Sequence, residues 1–389
     1  MATDLKEVWD IGMLPFVYRE LDTPSNGHGL ADRLPFSLSV NKAGVIIQKP
    51  YPLLNESLTT AYNIGSVITG MMDDEGIGKA YADDFIDMIT RDAGIRDLSG
   101  MNVLDIGCGT GYLLYRLKQM GAEVIGVEPG KQGAMGATKY GVTIVPDFFP
   151  TPAVTGKFDI ILMYNLLEHI EDPMAFINTV KTYLAPKGKI IMVVEDEESY
   201  LENGDISFLF HEHFSYFTKD SLTRTFQYCG ATSVDIRRSS FSQLLFAVGE
   251  FGPAGKNSEG QELTLANAGL MTFKAASEKL NSRIGSFVRK IHDQQKTLAI
   301  YVPSRAINML TVNNLPIDHI RFIDDNPVLE NKYFPGIEIP IEPGNKLFSR
   351  PTDHVLIYSS SFGDRILKKI KPLLPAETDV KTLGDFYGN

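Results

Sequence analysis

One stretch decides the fold of this chain: Val103-Leu104-Asp105-Ile106-Gly107-Cys108-Gly109-Thr110-Gly111-Tyr112. It begins as an apolar run, reaches an acid, passes through a glycine-rich turn and leads into the helical sequence of residues 113–117. A buried parallel strand that turns tightly into a crossover helix is where open α/β sheets bind their ligands. The glycines allow the backbone to approach a ligand that a Cβ atom would push away. The stretch therefore predicts an α/β fold with a ligand at this turn.

The acids around the turn indicate which ligand it binds. A dinucleotide fingerprint requires Gly-x-Gly-x-x-Gly, whereas Tyr112 occupies the last of these positions. Asp105 would repel a pyrophosphate, but it suits a positively charged ligand such as the ammonium and sulfonium groups of S-adenosylmethionine. Glu128 ends the next apolar strand, where an acid can accept hydrogen bonds from both hydroxyls of a ribose.

This order of strand, Asp-x-Gly-x-Gly-x-Gly turn, helix, strand and Glu resembles the class I S-adenosylmethionine-dependent methyltransferases. The resemblance implies a Rossmann-like central sheet and S-adenosylmethionine as the cofactor. Asp147 would meet the adenine amino group while its apolar neighbour covers the ring. Two alternatives remain, namely a nucleotide-free α/β domain with a tight turn and an Asp147 that is only a solvated turn acid. The residues expected to bind the cofactor are Asp105, Gly107, Gly109, Gly111, Glu128, Pro129, Asp147, Phe148 and Asn165.

The composition argues against several classes of protein. The 389 residues leave room for two or three domains, and the net charge of -11 argues against a nucleic-acid-binding surface. The N-terminus carries acids among its apolar residues, unlike a signal peptide, and no apolar run is long enough to cross a membrane. Cys108 and Cys229 cannot make a disulfide framework, and both are expected to be small buried residues in a reducing cytosol. We therefore expect a cytoplasmic protein whose oligomeric state the sequence does not fix.

The hydrophobic pattern divides the chain into an N-terminal domain (1–75), a cofactor-binding domain (76–250) and a C-terminal smaller α/β domain (251–389). In the first, residues 35–40 and 43–48 could pair as a hairpin, and a helix over 81–89 leads into the second. The second domain is predicted to contain strands 102–105, 123–128, 143–145, 159–163, 189–194, 232–238 and 243–250, with helices 112–121, 174–184 and 221–229. After a linker at 251–258, the third is predicted to contain helices 262–294, 306–313 and 365–371 with strands 298–302, 320–323 and 354–358.

Titratable side chains are densest in residues 208–217. His211, Glu212 and His213 stand there among aromatic residues, which predicts a dry pocket with shifted pKa values. His169 follows the fourth predicted strand, where it could donate to a substrate oxygen or accept a proton. A structural aromatic segment and a helix-start histidine are the alternatives. A His-x-His pair on a strand can ligate a metal, but no third ligand stands at a readable spacing, so no metal is predicted.

Three later segments, residues 205–217, 322–327 and 333–340, resemble the sugar C-methyltransferases that act on nucleotide-linked keto-deoxysugars. The resemblance covers most of the chain after about residue 60. It implies that Glu212, His213 and His169 line the acceptor site, with His213 as the base.

This chain departs from that family in two places. Phe210 stands where the family usually has a tyrosine, which removes a hydroxyl group from the expected site. Val40 and Ala43 stand where the family has two of its four zinc-binding cysteines, so we expect no zinc in the N-terminal domain. The loss of these cysteines weakens the inference that the acceptor is a nucleotide sugar.

Methyl transfer to carbon requires that a proton be removed beside a carbonyl group and that the enolate oxygen be stabilised. His213 as base, Glu212 orienting it and His169 near the oxygen would satisfy that scheme. The first hypothesis is therefore a methyltransferase that acts on carbon of a small, sugar-derived metabolite. The second changes the acceptor atom to oxygen or nitrogen, and the third is a donor-binding protein without catalysis.

Overall fold

Three β-sheets organise residues 8–64, 72–239, 243–252, 262–350 and 352–388, which are the residues that the computed structural model describes. Their strands are β1 (Trp9–Pro15), β2 (Arg33–Val40), β3 (Ile46–Gln48), β4 (Asn102–Ile106), β5 (Glu123–Val127), β6 (Thr143–Val145), β7 (Phe158–Tyr164), β8 (Leu184–Glu195), β9 (Ser215–Tyr216), β10 (Ala231–Arg238), β11 (Leu244–Phe251), β12 (Leu298–Tyr301), β13 (Ile320–Asp324), β14 (Ile341–Pro343), β15 (His354–Ile357) and β16 (Asp379–Thr382). The helices are α1 (Pro52–Ile64), α2 (Gly76–Asp87), α3 (Tyr112–Gln119), α4 (Lys131–Tyr140), α5 (Pro173–Val180), α6 (Glu198–Asn203), α7 (Lys219–Tyr228), α8 (Glu262–Asp293), α9 (Pro303–Val312), α10 (Lys346–Ser349) and α11 (Gly363–Ile370).

The central sheet has the strand order β10-β11-β8-β7-β4-β5-β6. The five strands from β8 to β6 pair in parallel, whereas β11 and β10 complete the sheet as an antiparallel hairpin. This arrangement confirms the predicted α/β fold with its Rossmann-like sheet. The inner strands β4, β7 and the second half of β8 are buried on both faces, which explains why they read as nearly continuous apolar runs.

The glycine-rich turn joins β4 to α3 in the predicted way. Gly111 adopts φ 71°, and a Cβ atom added there would lie 2.7 Å from Cδ1 of Ile144. Sequence patterning does not predict α4, because its two glycines weaken the helical signal. The structure shows why one of them is needed: a Cβ atom on Gly136 would lie 1.7 Å from the carbonyl oxygen of Thr110. The α4 helix can therefore pack directly on the turn.

The N-terminal sheet has the order β1-β2-β3-β9 and confirms the predicted hairpin, although its second strand is shorter than predicted and begins at Ile46. The strand β9 comes from the aromatic segment of residues 208–217, and it pairs with β3. The segment therefore lies at the edge of the N-terminal sheet, next to β3. Val40 and Ala43 are buried and apolar, so these two side chains offer no metal ligand.

The C-terminal sheet has the order β14-β13-β12-β15-β16, and all its strand pairs are parallel. The predicted strands and helices of this part are present with ends shifted by a few residues, whereas β14, α10 and β16 were too short to be predicted. Most of the predicted linker lies outside the described residues, as do residues 240–242 between the last two predicted strands of the central domain. Among the described helices, none combines the length and apolar character needed to cross a bilayer.

Candidate active site

The part of the site that is predicted to bind the methyl donor, here called the donor end, begins with Asp105 near the end of β4. Its side chain is only 2% exposed, and no described residue offers a hydrogen-bond partner to Oδ1. Burial, together with the nearby Glu128 carboxyl group, raises the pKa of Asp105 to about 8. A buried carboxyl group with an unpaired oxygen is costly to ionise unless a cation binds beside it.

Glu128 lies against the glycine-rich turn. Its Oε2 atom accepts a hydrogen bond of 3.0 Å from the amide of Gly109, and Oε1 accepts bonds from the amide of Gly130 at 2.8 Å and from Nε2 of Gln132 at 3.0 Å. A carboxylate can accept about four hydrogen bonds, so it retains capacity for ribose hydroxyl groups. No atom lies within 4 Å of the place where a Cβ atom on Gly109 would stand, so this side of the turn is open.

Other predicted donor-binding residues surround the same edge of the sheet. Gly107 has φ 73°, and Pro129 follows Glu128 on the surface. Oδ1 of Asp147 accepts a hydrogen bond from the amide of Phe148, and the hydroxyl of Thr151 and this bond lower the pKa of Asp147. The Phe148 ring is 69% exposed, which leaves an apolar face available for an aromatic base.

These residues fit S-adenosylmethionine. The unpaired oxygen of Asp105 suits a cationic group, and the Glu128 carboxylate beside an open glycine turn suits a ribose. The exposed Phe148 ring suits the adenine. Sequence reasoning predicted all three features, and the structure brings them to one edge of the central sheet.

A cavity of about 310 Å³ lies beside this donor end. Asn165 and its neighbour Leu166 connect the two, since Asn165 lines the cavity while Leu166 packs over Gly107. All three parts of the chain contribute to the walls, which are formed by Val17, Arg19, Glu20, Asn165, Glu168, His169, Glu195, Phe210, Glu212, His213, Ser304, Arg305, Asn326, Leu329 and Phe334. The cavity therefore has the position of an acceptor site, and it contains all three predicted catalytic residues.

Two histidines lie side by side in this cavity. The rings of His169 and His213 have centroids 4.8 Å apart and meet edge to face at 86°. Nδ1 of His169 lies 3.0 Å from the main-chain oxygen of Glu212, and because a carbonyl oxygen can only accept, Nδ1 must carry the proton. Nε2 of His169 therefore keeps its lone pair. Nδ1 of His213 is buried without a hydrogen-bond partner in the described part of the chain.

Both imidazoles are neutral at physiological pH. Burial, together with the neighbouring His213, lowers the pKa of His169 to about 3. Burial, together with Arg305, lowers the pKa of His213 to about 4. The predicted orienting bond from the Glu212 carboxyl group to His213 is not among the hydrogen bonds of the described residues, and the main chain of Glu212 orients His169 instead.

Four carboxyl groups surround the histidines. Burial raises the pKa of Glu168 and Glu197 well above the usual value, and it raises that of Glu212 to about 8. The carboxyl group of Glu195 raises each of these pKa values further. One oxygen each of Glu168, Glu197 and Glu212 is buried without a described hydrogen-bond partner. The site therefore holds many acceptor atoms that nothing in the described chain satisfies.

The C-terminal part contributes a guanidinium group. Arg305 lies with its Cζ atom 5.8 Å from the centre of the Phe210 ring, and no described side-chain acceptor bonds to it. Burial lowers the pKa of Arg305, but Tyr200, Glu195, Glu197 and Asp205 outweigh that effect and raise it overall. The helix α9, which carries Arg305, follows Val302 at φ 62°. A β-branched residue in this left-handed conformation is strained, and such strain concentrates at functional sites.

His211 does not reach the cavity. Its Nε2 atom lies 3.2 Å from the main-chain oxygen of Leu34, and its ring packs edge-on against Phe16 and Phe36. The His-x-His pair does not lie on a strand, because residues 211 and 212 form a turn before β9. The turn directs the two imidazoles to different places, one structural and one in the cavity.

Backbone hydrogen bonds hold the two histidine segments together. The amide of Phe214 donates to the oxygen of Glu168 at 2.7 Å, and the amide of Glu197 donates to the oxygen of Phe217 at 2.9 Å. From the C-terminal part, Nδ2 of Asn308 donates to the main-chain oxygens of Ile206 at 3.0 Å and Leu209 at 2.8 Å. The site is therefore built across three sheets rather than within one.

Sequence reasoning missed Glu168, Glu195, Glu197 and Arg305. A usable signal existed for Glu195, because it ends β8 at the same sheet edge as Asp105, where parallel strands present ligand-binding residues. Glu168 directly precedes His169 after the fourth predicted strand, so the same position pointed to it. Arg305 could be assigned only from the structure, which places the start of α9 at the cavity.

Comparison with known families matches two regions of the chain. Residues 79–235 match the model of a methyltransferase domain, and residues 256–380 match the model of a C-methyltransferase C-terminal domain. The C-methyltransferase NovU of Streptomyces niveus is 28% identical over 308 residues, which are 74% of this chain and 73% of that protein. A ubiquinone biosynthesis O-methyltransferase of Bradyrhizobium diazoefficiens is 33% identical over 105 residues, which are 24% of this chain and 40% of that protein.

Solved structures overlap with part of the chain. The 1,6-didemethyltoxoflavin-N1-methyltransferase of Burkholderia thailandensis aligns with a TM-score of 0.40 at 15% identity, over 56% of this chain and 96% of that one. The magnesium protoporphyrin IX methyltransferase of Synechocystis PCC 6803, with bound S-adenosylmethionine, aligns with a TM-score of 0.35 at 16% identity, over 45% of this chain and 82% of that one.

Proposed function

We propose that this class I S-adenosylmethionine-dependent methyltransferase, whose substrate is a small metabolite, places the methyl group on a carbon atom next to a carbonyl group of a sugar-derived acceptor. The observation that carries the proposal is the cavity beside the donor end, where two neutral imidazoles face buried carboxyl groups. Carbon methylation needs a base and groups that stabilise an enolate, and this cavity offers both kinds of group. The similarity to a C-methyltransferase over most of both chains supports the same acceptor atom.

S-adenosylmethionine supplies an electrophilic methyl group. The chain itself contributes binding and orientation, which dominate the catalysis of an in-line displacement. In this proposal Asp105 ionises and pairs with the cationic part of the donor, while Glu128 binds the ribose. Phe148 covers the adenine and Asp147 faces its amino group. Asn165 lies at the boundary between donor and acceptor.

A histidine of the pair removes the proton from the acceptor carbon. His213 is the base implied by the resemblance to sugar C-methyltransferases, and its buried Nδ1 atom has no described partner. His169 is equally equipped, because the bond from its Nδ1 to Glu212 leaves Nε2 with a free lone pair. In either case the proton passes to the imidazole, and the carbon electron pair forms the new bond to the methyl group.

Arg305 indicates the chemical class of the acceptor molecule. A guanidinium group offers five donors, and in this cavity none of them has a described side-chain acceptor. This guanidinium group suits an anionic or oxygen-rich acceptor, which supports a keto-sugar as the acceptor. Because guanidinium groups bind phosphate well, it also supports a sugar that is linked to a nucleotide. Because Phe210 lacks the hydroxyl group of a tyrosine, Arg305 next to it is the donor best placed to face an acceptor oxygen.

The test is transfer of a labelled methyl group from S-adenosylmethionine to a panel of nucleotide-linked and free keto-deoxysugars. We expect a product whose label resists hydrolysis by acid and by base, since a carbon–carbon bond does not hydrolyse. A label that acid or base releases would contradict carbon methylation and favour an oxygen or nitrogen acceptor.

Histidine variants test the base in the same assay. Removal of a general base typically slows the reaction by about 10²- to 10⁴-fold, so we expect that loss in His169→Asn or His213→Asn. The matched control is His211→Asn, because that imidazole lies outside the cavity. Donor binding by calorimetry would verify that each variant is folded. Transfer at the parent rate by both cavity variants would refute an imidazole base.

A further inference from the structure

Three ligand-type side chains cluster at the acceptor cavity, where Glu195 and His213 line the wall and Glu197 lies close to both. Glu195 ends β8, Glu197 follows two residues later, and His213 precedes β9. One potential ligand atom from each of these three side chains lies within 4.8 Å of the other two. Ligands about 2.1 Å from a small divalent ion lie roughly 3 Å apart when adjacent and roughly 4 Å apart when opposite. A small contraction of this cluster would therefore enclose an ion.

One of these side chains is buried with an unpartnered nitrogen. His213 is 6% exposed, yet its Nδ1 atom has no hydrogen-bond partner in the described chain. Glu197 is 2% exposed, and its carboxyl group shares a hydrogen bond with that of Glu195. Buried polar atoms in folded proteins nearly always have a partner, and two carboxyl groups in contact repel each other when both ionise. The open nitrogen in a cluster with this carboxyl pair therefore indicates that something absent from the polypeptide binds there.

The charge of the cavity indicates that this ligand is a cation. Five carboxyl groups lie in or against its walls, from Glu20, Glu168, Glu195, Glu197 and Glu212. The described walls offer two cationic side chains, Arg19 and Arg305, and no ion pair within 4.0 Å joins either of them to these carboxyl groups in the described residues. A divalent cation bound among these carboxyl groups would stabilise their ionised forms, which burial otherwise disfavours.

We propose that Glu195, Glu197 and His213 bind a divalent transition-metal ion of the Mn²⁺ type in the acceptor cavity. Two carboxylates with one imidazole form a mixed oxygen and nitrogen set, which suits such an ion better than Mg²⁺ or Ca²⁺, whose ligands are oxygen atoms. Three protein ligands leave coordination positions open toward the cavity. An acceptor carbonyl oxygen that occupied one of them would be polarised, which facilitates removal of the adjacent proton.

This inference rests on the proposed function and makes it more specific. A metal on the free nitrogen of His213 occupies the lone pair that a base needs, so the proton passes to Nε2 of His169 instead. The electron pair of the broken carbon–hydrogen bond then forms the bond to the methyl group. The sulfur atom keeps the electron pair of the broken carbon–sulfur bond. His213 would therefore help to orient the acceptor oxygen through the bound metal, while His169 removes the proton.

Manganese titration of the chelator-treated full-length protein tests the site without acceptor or turnover. The signal of free Mn²⁺ in electron paramagnetic resonance would report binding, and we expect one ion per chain. The Glu197→Gln and His213→Ala variants are expected to bind Mn²⁺ at least about tenfold more weakly. The matched control is Glu212→Gln, which makes the same change on a cavity carboxyl group outside the ligand set and is expected to bind within about twofold of the parent.

Calorimetry with S-adenosylhomocysteine would show that the variants are folded. No stoichiometric binding of Mn²⁺ by the parent, or equal binding by the Glu197→Gln and Glu212→Gln variants, would overturn the metal site. Full carbon methylation by metal-free protein would also overturn it while leaving the proposed function intact. Specific Mn²⁺ binding in a protein that methylates oxygen would support the site and refute the proposed acceptor atom.

Discussion

The most informative substitution in the donor site is Asp105→Asn. It replaces a buried carboxyl group with a neutral group of nearly the same shape. Because burial and Glu128 raise the pKa of Asp105 from 3.8 to about 8, the folded protein favours the protonated form. The stability that this form provides is fully present below pH 3.8 and is lost as the pH rises to 8. The asparagine cannot ionise, so its variant escapes that loss.

The expected size of this effect follows from the shift in pKa. Each pKa unit corresponds to about 1.4 kcal/mol, so the roughly four-unit shift is worth about 6 kcal/mol when Asp105 is fully ionised. Between pH 5 and pH 8 the free energy of unfolding of the variant, relative to the parent, should rise by roughly 4 kcal/mol. Urea unfolding of both proteins without donor, at several pH values, measures this difference. A difference that does not change with pH would refute the assignment of a raised pKa to Asp105.

The affinity for the methyl donor should rise as the pH rises, whereas the stability of the donor-free protein falls. If S-adenosylmethionine pairs with the ionised carboxylate, binding to the parent must release a proton, and affinity should increase roughly 50-fold between pH 6 and pH 8. The Asp105→Asn variant should bind the donor more weakly, and its affinity should lack the pH dependence that Asp105 causes. Comparing the slopes of log affinity against pH for parent and variant therefore cancels any titration of the ligand itself. Calorimetry gives both slopes. Parallel slopes in parent and variant would show that Asp105 does not contact the cationic part of the donor.

Three further substitutions test other parts of the molecule. Gly111→Ala should destabilise the protein by about 2–4 kcal/mol, because the residue has φ 71° and its Cβ atom would lie 2.7 Å from Ile144; an unchanged urea midpoint would contradict the close packing. Arg305→Gln should raise KM for an anionic acceptor about tenfold or more while donor affinity stays unchanged, and an unaltered KM would remove Arg305 from acceptor recognition. Asn308→Ala should lower the free energy of unfolding by about 1–3 kcal/mol, because two main-chain oxygens lose their donor; thermal melting that matches the parent would refute that role.

The central sheet was predictable because its sequence signals are local. A strand, a glycine turn and a helix follow one another within residues 102–119, and each obeys its own periodicity. The helix α4 escaped prediction because its glycines serve packing against the turn rather than helix formation. Short elements such as β9 exist only through pairing with a distant strand, so no local pattern reveals them.

The candidate site was predictable only where one segment carried several of its residues. His169, Glu212 and His213 were found because they stand among aromatic residues or directly after a strand. Arg305 reaches the cavity from α9, and Glu197 lies beside Glu195 and His213, so both depend on contacts between residues far apart in the sequence. The tautomer of His169 also needed the structure, since a main-chain oxygen 43 residues away fixes it.

Nuclear magnetic resonance of the product would show whether the transferred methyl group ends on carbon. The donor would carry an isotopically labelled methyl group, and the acceptor would be the keto-deoxysugar with the highest turnover. If the methyl group is transferred to carbon, the labelled carbon couples directly to a ring carbon of the product, and the acceptor has lost one hydrogen there. A labelled methyl signal with the chemical shift of a methoxy or methylamino group, uncoupled to any ring carbon, would contradict transfer to carbon.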